Sequence, residues 1–214
     1  MTDNKELINN IKARSTKYLD NLERDAKVLA VMQQIDRINF LPESSKQFAY
    51  IDTPVSIGYN QTCSQPSMVA FMLDKLSIKA GNKILEIGAG CGYAAAIASE
   101  LCKPGGVVFA SEIVPELASQ MKINLAYYNN IEILSEDGSM GFPDYAPFDR
   151  IILSAGVSSK NFDEKILLDQ LTNGGILLYP ENYGNIYLIK KNNGDISKST
   201  YYGVSFVSLR GRNS

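Results

Sequence analysis

Lys83-Ile84-Leu85-Glu86-Ile87-Gly88-Ala89-Gly90-Cys91-Gly92-Tyr93-Ala94-Ala95-Ala96-Ile97-Ala98 is an apolar run closing on an acid, three glycines at alternate positions, and an alanine-rich helical stretch. The order reads strand, tight turn, helix. Glycine allows positive φ and lets a ligand lie against the main chain, while the first turn of the following helix presents unpaired N–H groups. A bend of this kind is suited to holding a ligand; the plainer reading is a tight strand-to-helix connection.

The glycine spacing narrows the ligand. In the dinucleotide fingerprint the third glycine falls one residue later than Gly92, beside the pyrophosphate. Glycine at alternate positions behind an acid, Glu86, suits the amino-acid end of S-adenosylmethionine better, which makes a nicotinamide-dependent dehydrogenase the weaker reading.

Composition removes whole classes of chemistry. The chain has 214 residues and a net charge of −2, without the clustered Lys and Arg that general nucleic-acid binding needs. It contains no histidine, which excludes Ser-His-Asp and Cys-His relays and a His-ligated zinc. Cys63, Cys91 and Cys102 lack metal-ligand spacing, so no metal is expected, and they read as reduced thiols in a cytoplasm. Neither a signal peptide nor a membrane-length apolar run is read at either end.

Apolar positions from Lys5 to Ile35, among them Leu7, Ile8, Ile11, Leu19, Leu22, Leu29 and Met32, recur at helical spacing and predict one or two amphipathic helices. Periodicity stops between Asp36 and Pro42, and from there to Asn60 the chain reads as an irregular, aromatic-bearing loop that either covers a pocket or packs on the core. Pro66 starts a helix through Leu76, with Thr62 or Ser64 as its expected cap.

Strands are expected at Val107–Glu112, Ile131–Ser135, Phe148–Ala155 and Gly174–Pro180, with helices after Pro115 and over Ile166–Leu171. Alternating strands and helices predict an open, mostly parallel sheet. Two further strand-like runs, Ile186–Ile189 and Val204–Leu209, lack a helix between them and read as antiparallel, joined by a polar connection from Lys190 to Ser199. Glu112 ends a strand about twenty residues beyond the glycine turn, where a carboxylate can accept both hydroxyls of a ribose. Asp137-Gly138, after the third strand of the core, places a carboxylate where it can reach an adenine amino group; it is equally an ordinary turn.

Laid side by side, Ala49-Tyr50-Ile51-Asp52, Ile57-Gly58, Gln61-Thr62, Ser64-Gln65-Pro66, Leu85 to Tyr93, Glu112, Asp137-Gly138, Ala146 to Ile152, Gln170-Leu171 with Gly174-Gly175, and Val204 to Leu209 resemble the protein-L-isoaspartate O-methyltransferases over nearly the whole chain. The Gln-Thr-x-Ser-Gln-Pro element is the most restricted part of the match. The resemblance implies a Rossmann-like methyltransferase fold: a mostly parallel seven-stranded sheet with antiparallel C-terminal strands and an N-terminal helical extension. It implies one domain over 1–214, with helices and a substrate-covering loop at 1–60, a cofactor-binding core at 61–180 and closing strands at 181–214.

It further implies a cytoplasmic, monomeric enzyme with S-adenosylmethionine as cofactor and S-adenosylhomocysteine as product. Its substrate would be isoaspartyl-containing proteins and peptides, with neither nucleic acid nor membrane as partner. Methylation of the freed α-carboxylate leads to a succinimide and so initiates repair. Ser64 is the implied catalytic residue, and Thr62, Glu86, Gly88, Gly90, Gly92, Glu112, Asp137 and Gly138 are the expected cofactor-binding set. The chain departs from the family pattern at Asn60, usually glycine, at Cys63, usually aliphatic, and at Ser208, usually proline. These departures leave two alternatives: another carboxylate as acceptor, or a catalytically silent binding module on the same fold. A carboxylate acceptor has a free pKa of about 3 to 4 and is already a nucleophile at neutral pH, which agrees with the missing histidine.

Overall fold

The computed structural model describes residues 3–13 and 27–214. Helices α1 (Asn4–Ala13) and α2 (Lys27–Gln34) precede a small hairpin, β1 (Val55–Gly58) and β2 (Gln61–Cys63), and helix α3 (Pro66–Leu76). The core then alternates: β3 (Lys83–Ile87), α4 (Tyr93–Leu101), β4 (Val107–Ser111), α5 (Pro115–Asn124), β5 (Ile131–Leu134) and β6 (Phe148–Leu153). It closes with α6 (Lys165–Leu168), β7 (Leu171–Pro180), β8 (Tyr183–Asn192) and β9 (Asp195–Ser205). Among the described residues, no helix is long and apolar enough to cross a membrane. The expected helical positions Leu19 and Leu22 lie outside the described residues.

The seven-stranded sheet runs β5-β4-β3-β6-β7-β8-β9. Pairs from β5 to β7 are parallel, and the β7–β8 and β8–β9 pairs are antiparallel. Successive side chains on a strand point to opposite faces, so each central strand feeds two cores. Ile84, Val108 and Ile152 meet the helices around Leu29, Phe71 and Ile97, while Leu85, Phe109 and Ile151 meet Phe142, Phe148 and Leu167 on the other face. Chain order reverses at β3, which lies between β4 and β6, and a crevice opens beyond the carboxyl ends of strands at such a reversal.

Four expectations need correction. The segment read as irregular up to Asn60 contains β1, paired with β2 through Val55–Cys63 and Ser56–Thr62. The helix expected through Leu171 ends at Leu168, and Leu171 already opens β7. The polar connection from Lys190 to Ser199 is instead a long hairpin, its two-residue turn at Asn193-Gly194 with both residues at positive φ. Those conditions favour Asn-Gly. The last strand ends at Ser205, four residues earlier than expected; the chain then bends back, Gly156 N–H donating to Val207 O and Leu209 N–H to Gly156 O.

Arg37 holds the N-terminal segment to this frame. It is fully buried. Nη1 donates to the carbonyls of Ala49 and Ile51, and Nη2 to those of Thr53, Cys63 and Ser64. A planar, forked donor can reach carbonyls arranged this way, whereas an ammonium cannot span them. We expect Arg37→Met, of similar length but without donors, to leave buried carbonyls unpaired and to lose at least about 3 kcal/mol in urea unfolding, with Arg37→Lys recovering only part of it.

Candidate active site

The turn between β3 and α4 is fixed from β4. Gly88, Gly90 and Gly92 all have positive φ, at 76°, 57° and 85°. Gly88 and Ala89 donate their N–H groups to Ser111 O, and Gly90 N–H donates to Glu112 Oε2 at 2.9 Å. Val114 N–H donates to the other oxygen of Glu112, also at 2.9 Å. Glu112 therefore clamps the glycine turn and the start of α5 at once, and each oxygen keeps acceptor capacity beyond its one backbone partner. Side chains are excluded close by: a Cβ on Gly92 would lie 2.9 Å from Leu125 Cδ1, and one on Gly138 would collide with Ser111 Oγ.

Two cavities meet at this turn, and a third adjoins them at Thr62. An inner cleft is walled by Thr62, Ser64, Glu86, Gly88, Gly90 and Tyr93. Beside it a second lies against Thr62, Ser111, Glu112, Gly138 and Arg210. An outer groove runs past Ser64, Gln65, Met68 and Tyr183 to residues 203–208. Thr62 lines all three, and Ser64 lines both the inner cleft and the outer groove. The β2 strip is thus the partition between the inner cleft and the outer groove.

The expected cap of α3 is not made by Thr62 or Ser64. Gln65 occupies the N-cap position without a side-chain cap bond, and Asp52 supplies the cap from a distance, accepting Ser67 N–H at 2.9 Å and Gln65 Nε2 at 3.2 Å. Such a cap is worth about 1 kcal/mol. With the helix served elsewhere, the Ser64 hydroxyl makes no hydrogen bond with a described residue, while its carbonyl is held by Arg37. The loop aromatics do not cover the cleft: Phe48 and Tyr59 are exposed, and Ile57 is the residue that leans on the turn, its Cδ1 3.1 Å from where a Gly90 Cβ would sit. Asn60 takes φ 59° in the β1–β2 turn, a left-handed conformation that asparagine tolerates best after glycine. Its departure from the family pattern is therefore conformationally neutral.

The remaining expected residues divide. Glu86 is 1 % exposed and accepts the Ser154 hydroxyl at 2.6 Å. Burial pushes its carboxyl up to about 7, against the lowering effect of that hydrogen bond, with the neighbouring Glu112 adding to the rise. Asp137 lines neither cleft: it accepts N–H groups from Ser139 and Arg212 and ties the chain after β5 to the C-terminal segment. Gly92 stands behind the turn, as the N-cap of α4. Residue types alone assign no role to Arg37, Asp52 or Arg210; Arg210 Nη2 donates to Tyr59 O and ties the C-terminal segment to the β1–β2 turn. Tyr93, on the inner wall, has a buried hydroxyl with no hydrogen-bond partner among the described residues.

The sequence profile of the protein-L-isoaspartate(D-aspartate) O-methyltransferase family matches residues 2–214. The chain is 41 % identical over 193 residues to a Methanococcoides burtonii protein-L-isoaspartate O-methyltransferase, covering 88 % of this chain and 94 % of that one. The Ignicoccus hospitalis protein of the same name is 40 % identical over 212 residues, 96 % of each chain. A Plasmodium falciparum structure bearing that name, in complex with S-adenosyl-L-homocysteine, superposes with a TM-score of 0.84 at 27 % identity over the whole of both chains.

The Glu86 shift makes stability depend on pH. The folded state holds a proton that the unfolded state releases between about 4.5 and about 7, so the contribution is present at lower pH and is lost as pH rises through that window. We expect the wild type to lose on the order of 2 kcal/mol more between pH 5 and pH 7.5 than Glu86→Gln, which keeps the acceptor for Ser154. Urea unfolding at the two pH values checks this; equal losses would contradict it.

Proposed function

The chain belongs to the protein-L-isoaspartate(D-aspartate) O-methyltransferase family, and we propose that its reaction runs at the β2 partition, where the inner cleft meets the outer groove. The enzyme transfers a methyl group from S-adenosylmethionine to the free carboxylate of L-isoaspartyl residues in damaged proteins and so initiates their repair. The observation that carries the site assignment is the Ser64 hydroxyl. Ser64 lines both cavities, its hydroxyl takes no part in capping, and its carbonyl is held by a buried guanidinium.

The residues fit the cofactor. Glycines without side chains leave main chain to pack against it, Glu112 has acceptor capacity left for two ribose hydroxyls, and Thr62, Glu86 and Gly138 line the walls. When bound, S-adenosylmethionine supplies a sulfonium methyl that the acceptor carboxylate takes, leaving S-adenosylhomocysteine. No residue of the chain has to accept a proton, because the acceptor is ionised at neutral pH. What the chain contributes is placement in a site with little water. Ser64 donates a hydrogen bond to one acceptor oxygen and so turns the other towards the cleft, while the partition strips hydration from the acceptor carboxylate. Placement of this kind contributes up to about 7 to 11 kcal/mol in favourable cases.

The outer groove receives the damaged chain, with Gln65 and Met68 on one side and residues 203–208 on the other. We take the enzyme to act as a cytoplasmic monomer; its three cysteines are unpaired, as suits a reducing compartment.

Two substitutions test the assignment. Ser64→Ala removes the steering hydroxyl and nothing that holds the strip, so we expect turnover of an isoaspartyl peptide to fall at least about tenfold, about 1.4 kcal/mol, with cofactor affinity unchanged. Undiminished turnover removes Ser64 from the mechanism. Glu112→Gln sets an amide N–H₂ against either Gly90 N–H or Val114 N–H and removes a charged acceptor. Calorimetry should show S-adenosylhomocysteine binding weakened by about 1.5 to 3 kcal/mol; unchanged affinity would contradict the ribose role.

A further inference from the structure

Two of the three cysteines share the inner cleft, and methyl transfer as described uses neither. Cys63 ends β2, one residue before Ser64, and Cys91 lies within the glycine turn. Both line the same cavity, both are buried at 4 % exposure, and each is among the groups that perturb the other's ionisation. Cys102 lies apart, donating to Ser99 O at the end of α4 and lining none of the three cavities. A buried thiol pair on a cavity wall is reached through the cavity and is covered by whatever fills it.

We propose that Cys63 and Cys91 form an oxidisable dithiol site, at which a peroxide entering the cofactor-free cleft closes a disulfide that reversibly blocks cofactor binding. The two sulfurs are not equivalent. The neighbouring Cys63 and burial push the Cys91 thiol up. Cys63 is drawn down by its Cys91 neighbour and by the Arg37 guanidinium, whose Nη2 also holds the Cys63 carbonyl, against the opposing effect of burial. Cys63 is therefore the better nucleophile and Cys91 the resolving thiol.

The chemistry balances with hydrogen peroxide as oxidant. The Cys63 thiolate attacks one peroxide oxygen, the O–O bond breaks, and the departing hydroxide takes up the thiol proton to leave as water. Cys63 then carries a sulfenic acid. The Cys91 sulfur attacks the Cys63 sulfur, the S–O bond breaks, and the hydroxyl leaves with the Cys91 proton as a second water. The dithiol loses two electrons and two protons, and one peroxide is reduced to two waters.

Closing the pair brings the two sulfurs to about 2.05 Å. β2 is pulled towards the glycine turn, and Ser64 moves with Cys63. The cleft narrows where the cofactor would lie, so cofactor and disulfide exclude each other.

The test treats the full chain, free of cofactor, with hydrogen peroxide and follows three readouts: intact mass, the proteolytic peptide map and S-adenosylhomocysteine affinity. We expect a species two hydrogens lighter, a Cys63 peptide joined to a Cys91 peptide, and affinity reduced at least about tenfold. Dithiothreitol should restore it. Saturating S-adenosylhomocysteine should slow cross-linking at least about tenfold, and Cys102→Ser should cross-link as the wild type does. Each of Cys63→Ala and Cys91→Ala, compared with itself before oxidation, should form no intramolecular cross-link; if either fails to fold, the wild-type peptide map decides alone. Sulfinic or sulfonic acid on single cysteines without the cross-link, a bridge to Cys102, or a Cys63–Cys91 bridge that leaves affinity unchanged would each overturn the proposal. The mass readout needs no methyl transfer, so its failure is distinguishable from failure of the Ser64 mechanism.

Discussion

The catalytic face of this enzyme depends on one buried cation that has carbonyls, not carboxylates, as its partners. Arg37 gathers main-chain oxygens from Ala49, Ile51, Thr53, Cys63 and Ser64, two stretches of chain separated by the β1–β2 hairpin. Five dipoles directed at one guanidinium fix those stretches relative to each other without a second buried charge, whose desolvation would be costly. Further contacts follow from that anchor. Asp52 is brought to the N-terminus of α3, Ser64 is presented with its hydroxyl uncommitted, and Ile57 is laid across the glycine turn. An ammonium in place of the guanidinium would hold one stretch or the other.

The two walls of the site therefore have different origins. The cofactor wall is part of the sheet: β3 and β4 run in parallel register, and Glu112 at the end of β4 reaches back to the turn that follows β3. It is as rigid as the core beneath it. The proposed substrate wall is assembled from the strip before α3 and the chain from the end of β9 onward, and its joints are individual hydrogen bonds such as Arg210 to Tyr59 O. A fold can keep its cofactor site while varying this second wall. The departures from the family pattern at Asn60, Cys63 and Ser208 all lie on it.

Legibility in the sequence follows the same division. Buried parallel strands are continuous apolar runs, and the glycine turn needs its glycines for backbone reasons, so β3, β4, the turn and Glu112 can all be read from residue types alone. The β8–β9 hairpin was harder because β9 is an edge strand, exposed along most of its length, and has no apolar run to announce it; the Asn193-Gly194 turn signal was present and went unused. Leu171 looked like the last residue of an apolar helix because its neighbours Ile166 to Leu168 have helical spacing. Arg37 and Asp52 could not be found this way. An arginine in a charged region reads as solvated, and nothing in its own neighbourhood says that its partners lie between 12 and 27 residues further on.

An enzyme that methylates carboxylates must avoid methylating its own, and two of them, Glu86 and Glu112, line the cavities at the glycine turn. Both are engaged by donors. Glu112 accepts two backbone N–H groups, and Glu86 accepts the Ser154 hydroxyl while burial raises its affinity for a proton. A carboxylate whose lone pairs are drawn into hydrogen bonds is a poorer nucleophile and is fixed in direction. In the reaction proposed above, the acceptor carboxylate would enter from the groove and meet the neutral hydroxyl of Ser64, which would orient it without neutralising its charge. The enzyme's own acids differ from such an acceptor in being fixed in direction, Glu112 by two backbone donors and Glu86 by Ser154, with burial also favouring the protonated form of Glu86. A serine suits that proposal: a cationic residue in its place would bind the acceptor more tightly and quench the charge that has to attack.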